Sequence, residues 1–238
     1  MDKMLTIAKR ELTSYFYSPI AYVVLGLFVF LSGLFFILTT FAPNQPAEMR
    51  QIFFWMVWIL IAIVPAISMR LVSEEFNSNT IETLMTTPVS DADVIIGKWV
   101  GATVFFAVTL IPTLIIPTIL EAFGAPDYGP IFTGYLGLLF VGGLYMAIGA
   151  FASVMTKNQI IAFLISVFVI LMFTVVTYFV PRFLPANIAQ IVMYLNINEQ
   201  YDDFAKGLID TSNIVFFLSG IALFLVLAIK VLESRKWR

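Results

Sequence analysis

Six stretches of this chain, 20–42, 51–69, 99–120, 131–156, 158–181 and 211–229, contain no Asp, Glu, Lys or Arg. A helix that crosses the ~30 Å hydrocarbon core of a bilayer needs about 20 mainly apolar residues, since each adds ~1.5 Å along the axis. Runs of this length are too long for the core helices of a soluble domain. The composition agrees: 61% of the residues are hydrophobic and 12% charged, against about 25% charged in an ordinary soluble domain. A water-soluble globule could not cover its surface with so few charges. The expected fold is therefore all-α and integral to the membrane. It has six transmembrane helices in one transmembrane domain of residues 1–238. The first run exceeds the ~7–15 apolar residues of a signal-peptide h-region, so it is read as a span that is kept.

Six crossings put both ends of the chain on one side. Of the 13 Lys and Arg, ten fall at the N-terminal end, in the loop after span two, in the short loop after span four, and at the C-terminal end. Only Arg50, Arg182 and Lys206 lie opposite. The positive-inside rule places both termini in the cytoplasm. The chain has no His and no Cys, which excludes an imidazole base, a Ser-His-Asp triad, disulfides and the usual zinc or copper ligands.

Residues 2–17 are not a span. Leu5, Ala8, Leu12, Tyr15 and Phe16 share one helical face, with Lys3, Thr6, Lys9, Arg10 and Thr13 on the other. That pattern predicts a basic amphipathic helix in the inner interface, turned upward at Pro19. Lys9, Arg10 and Lys98 are read as membrane-interface residues. The outer segment 182–210 has Ile188, Ile191, Val192 and Leu195 at helical spacing. It predicts one or two amphipathic helices lying at or dipping into the outer interface.

The cytoplasmic loop 70–98 is the most informative stretch. Asn77 to Thr80 offers cap-type side chains for a short helix bearing Ile81, Leu84 and Met85, which Pro88 ends. Ser90 and Asp93 form an S-x-x-D capping box before Val94-Ile95-Ile96, so a new helix starts there and runs into span three. A helix–break–helix projection of this kind predicts a docking surface. The alternative is a solvated acidic loop that meets the chain's own lysines, with Arg70 a plain positive-inside anchor.

The pattern Arg70-x3-Glu74-Glu75-x4-Thr80-Ile81-Glu82-x-Leu84-x3-Pro88-Val89-Ser90, followed by Gly97-Lys98, resembles the loop signature of ABC-2 type transporter permeases. Arg10-Glu11 with Ser18-Pro19, the stretch from Lys157 to Phe163, the stretch from Phe204 to Asp210 and the end from Leu232 to Trp237 are similar to that family as well. Asn79 stands where the family usually has Gly; asparagine also tolerates positive φ. The closest branch is the gliding-motility-associated permease, with copper-enzyme-maturation permeases second.

The resemblance implies a coupling helix near Thr80–Met85 that contacts a cytosolic ABC ATPase. It implies docking residues Arg70, Glu74, Glu75, Thr80, Ile81, Glu82, Leu84 and Pro88. It further implies a second permease copy or a paralogue, possibly carrying a large outer domain, and a place in a bacterial cytoplasmic (inner) membrane. Cofactors are expected on the partner ATPase, as ATP and Mg, with none in this chain. No P-loop is present: the Gly97-Lys98 pair is followed by Trp99 and lacks the upstream glycine. The chain is therefore not expected to be an enzyme. The uncharged spans disfavour an ion-coupled pathway. They suit export of a lipid-like or large substrate, or a mechanical component that transmits movement without cargo.

Overall fold

The computed structural model describes residues 2–40, 48–78 and 89–235. The fold is 88% helical, with no strand among the described residues, and six of its helices are long and apolar enough to cross a membrane. The N-terminal helix α1 spans Asp2–Tyr17 and leads through Ser18 into the first crossing, α2 (Pro19–Thr39). The second crossing, α3 (Arg50–Ser68), is followed by the short α4 (Ser73–Asn77). The third is α5 (Asp91–Leu110), prolonged by a 3₁₀ turn at Ile111–Leu114 and by α6 (Ile115–Phe123). The fourth is α7 (Tyr128–Met155), and the fifth starts as α8 (Gln159–Leu171). Two short helices, α9 (Ala186–Tyr194) and α10 (Ile197–Ala205), precede the sixth crossing, α11 (Thr211–Arg235).

The sequence explains the irregularities. Proline lacks an amide donor and clashes with the preceding turn, and Pro112 sits where α5 tightens into its 3₁₀ turn. The fifth crossing loosens into a π turn at Met172–Val176 and ends in a 3₁₀ turn at Val180–Phe183 that contains Pro181. The π turn leaves Thr174 O to accept from Asn196 Nδ2, while Asn196 Oδ1 caps α10 by accepting from the amides of Asn198 and Glu199.

Helix α7 is the centre of the bundle: 78% of its apolar window is buried, against 28% for the first, fifth and sixth crossings. Its small residues make this possible, because glycines let neighbours approach to backbone contact. A methyl on Gly142 would overlap the Phe106 ring, one on Gly134 the Phe53 ring, and one on Gly149 the Ser68 side chain.

Three features of the bundle sharpen the expectation. The buried face of α1 holds Ala8 and Tyr15, with Leu12 and Glu11 partly covered, whereas Leu5 and Phe16 are exposed. Its protein-facing stripe is thus rotated, because α5 claims the side that carries Glu11. The outer segment forms two helices, and only α9 has no buried residue. Helix α10 buries Ile197, Tyr201 and Phe204 in the bundle, where Thr133 Oγ1 donates to Phe204 O and Tyr201 Oη to Gly134 O. Gly207, at φ +90°, supplies the left-handed residue that turns the chain after α10. Third, α5 begins at Asp91, where its capping box predicts, so Lys98 lies two turns inside a helix.

Candidate coupling site

The end of the bundle that carries α1 also carries α4, the start of α5 and the end of α11. Helix α1 rests on a groove made by two glycines one turn apart on α5. A methyl on Gly97 would come within 2.9 Å of Met4 O, and one on Gly101 within 2.6 Å of Ala8 O and 2.9 Å of Glu11 Cβ. Glycine at both positions lets α1 sit backbone-close on α5 and brings Glu11 over Lys98.

Lys98 does not reach outward as an interfacial anchor would. Its side chain is 8% exposed, and its ammonium lies 3.0 Å from Glu11 Oε2 and 2.9 Å from Glu75 Oε1. One cation from α5 therefore joins α1 to α4. A buried charge is tolerated only when opposite charge and hydrogen bonds replace its water, and two carboxylates do that here.

A second polar cluster lies beside it. Arg70 Nη1 donates to Ser18 Oγ at 2.8 Å, and its guanidinium stacks 4.3 Å over the Tyr15 ring. The Tyr15 hydroxyl donates to Ile67 O at 2.9 Å, and its ring stacks on Phe105 at 4.8 Å. Burial, reinforced by the Glu11 carboxylate, holds the Tyr15 phenol far above its usual range despite nearby Arg70, so the hydroxyl stays a donor.

The entry to the loop is fixed from a third side. Ser153 Oγ, on α7, accepts from the amides of Val72 and Ser73, both at 2.9 Å, and donates to Met69 O. One hydroxyl thus satisfies two of the first amide donors of α4, which otherwise have no helical partner. Arg235, at the end of α11, stacks 4.6 Å over Phe76 and donates to Met155 O. On the far side of the loop, Ser90 and Asp93 make the reciprocal capping box that starts α5.

Of the residues singled out from the sequence, Arg70, Glu74, Glu75, Arg10 and Lys98 line one small cavity of about 160 Å³. Glu74 is exposed, as are Lys9 and Arg10. Thr80, Ile81, Glu82, Leu84 and Pro88, with the expected coupling helix, lie outside the described residues. Glu11, Ser153, Phe76 and Arg235 were not foreseen. Only Glu11 left a local sign, an acidic residue three positions from Ala8 and four from Tyr15 on the buried stripe.

At the opposite end of the bundle a cavity of about 780 Å³ opens among α2, α3, the π turn and α10. Phe54, Trp58, Tyr178 and Phe179 form its aromatic wall, and Arg50 and Asp202 stand at its polar side. Arg50 and Lys206 both pair with Asp202. Partial burial pushes the Asp202 carboxyl up, but bonds from Lys206 and Arg50 outweigh it and leave the group below its ordinary value.

The sequence model of the ABC-2 family transporter proteins matches residues 5–237, nearly the whole chain. The chain belongs to the ABC-2 transporter family. Members of this family are multi-pass membrane subunits without ATPase activity of their own, and they work with a separate ATPase subunit. Comparison with curated proteins finds no match. For an ABC-2 subunit the polar end described above, where three crossings and α1 converge on one loop, is the candidate meeting point with that ATPase.

Proposed function

We propose that this ABC-2 protein is the permease subunit of a gliding-motility-like transporter in a bacterial inner membrane, with both termini cytoplasmic. A cytosolic ATPase, holding ATP and Mg, docks on the loop 70–98 of this chain and of a second copy or a paralogous permease. Its closure tilts the bundle and drives export. The observation that carries the docking reading is the bracing of the loop's first turn. Ser153, Lys98 and Arg235 hold Val72, Ser73, Glu75 and Phe76 from three different helices, and Glu74 is left exposed beside them. A loop so anchored can pass an applied force into the spans. The 780 Å³ cavity is of the size that holds a small or lipid-like ligand, which supports the export reading.

The test is affinity purification of the tagged chain from its native membrane. An ABC ATPase subunit is expected to co-purify. Reversing Glu74 and Glu82 to Lys should lower its recovery about tenfold, the effect of ~1.4 kcal/mol of lost attraction. Undiminished recovery refutes the docking surface.

A further inference from the structure

We infer that Lys98 is a mechanical latch, which makes α1, the loop entry at α4 and the inner end of α5 move as one body. The inference rests on the docking reading above and adds the element that passes the movement on. Three observations carry it. Lys98 is the point where the three elements meet, with Glu11 of α1 at 3.0 Å and Glu75 of α4 at 2.9 Å from one buried ammonium. The glycine pair at 97 and 101 seats α1 against the same stretch of α5 at backbone contact, so α1 and α5 have no slack between them. Glu75 is the remaining link: it is the α4 residue whose side chain reaches α5 through an ion pair, whereas Ser153 and Arg235 tie α4 to α7 and α11.

The latch has an unusual charge balance. One ammonium serves two carboxylates, with Arg10 and Arg70 lining the same cavity, so removing the Glu75 carboxylate still leaves Lys98 paired with Glu11. Stability and coupling therefore separate. A merely structural Glu75 would lose function only as far as it lost stability. As a latch, it loses coupling while the fold holds.

The test uses Glu75→Met in the full chain, purified alone and with its ATPase. Because the chain has no cysteine, spin labels at Thr13→Cys on α1 and Asn77→Cys on α4 report one distance by electron–electron double resonance. In the isolated chain the unsubstituted latch should give a narrow distribution and Glu75→Met a broad one, both measured well below the melting temperature of either chain. In the complex, Glu75→Met should keep its ATPase while permease-dependent ATP turnover falls about 5- to 150-fold, the usual range for coupling between linked sites. Lys98→Arg, which can reach both carboxylates, should retain the narrow distribution and the turnover. A narrow distribution or undiminished turnover in Glu75→Met overturns the latch. Loss of the ATPase from Glu75→Met also overturns it, because Glu75 would then be a direct contact. If the unsubstituted chain binds no ATPase, the docking reading fails by itself, and the isolated-chain distances still decide the latch.

Discussion

Replacing Gly101 by alanine adds one methyl where there is no room for it. The new carbon would lie 2.6 Å from Ala8 O and 2.9 Å from Glu11 Cβ, both parts of α1 that cannot rotate aside as a side-chain tip could. Ordinary carbon–oxygen contact requires α1 to retreat by roughly 0.8 Å, and overpacking of this kind costs about 1–3 kcal/mol. Alanine also favours helix by about 1 kcal/mol over glycine. That gain is the same whether or not α1 is docked, since α5 stays helical in both states, and it cancels. The population with α1 displaced should therefore rise about 5- to 150-fold. A single cysteine at Leu12, partly covered while α1 is docked, reports the displacement through its rate of thiol labelling. Gly26→Ala is the control, because nothing lies within 4 Å of its added methyl. Labelling of Gly101→Ala at the rate of Gly26→Ala would refute backbone-close seating of α1 on α5.

Ser153→Ala strips the acceptor from the amides of Val72 and Ser73, and leaving buried donors unpaired costs about 1–3 kcal/mol each. Faster proteolysis of the 70–98 loop is the expected readout. Gly142→Ala forces the Phe106 ring out of place in the centre of the bundle and should lower the detergent melting temperature, whereas Gly33→Ala, with open space around it, should not. The depressed Asp202 carboxyl contributes stability that is complete above the ordinary aspartate value, near 4, and is lost as pH falls through its lower folded value. Melting curves should show a modest decline below about pH 4, reduced in Asp202→Asn. A decline of equal size in that variant would remove Asp202 as its cause.

The six crossings were legible because hydrocarbon demands long uncharged runs, and such runs are local in sequence. The start of α5 was legible for the same reason: Ser90 and Asp93 are three residues apart and need only each other. What escaped was pairing across distance. Nothing near Ser153 marks it as the cap of a helix 80 residues earlier, and Phe76 bears no sign of Arg235. Lys98 was read as an interface residue because it borders an uncharged run; its pairing with Glu11 and Glu75, far off in sequence, left no local sign. Helix α10 carries Ile197, Tyr201 and Phe204 at spacings of four and three, a pattern that shows an apolar face but not how deep in the bundle that face sits. The family was legible from the loop signature, although half of that signature lies outside the described residues.

Ser18 is the lone residue between α1 and α2. It is extended, with φ −90° and ψ 124°, and Pro19 stiffens the step that follows. So short a joint stores almost no play. Helix α1 has 16 residues and is about 24 Å long, so a swing of roughly 10° that carries α5 with it sweeps its N-terminal end through about 4 Å. A small rotation at the pivot thus becomes a stroke at that end, and a push there becomes torque on the first crossing.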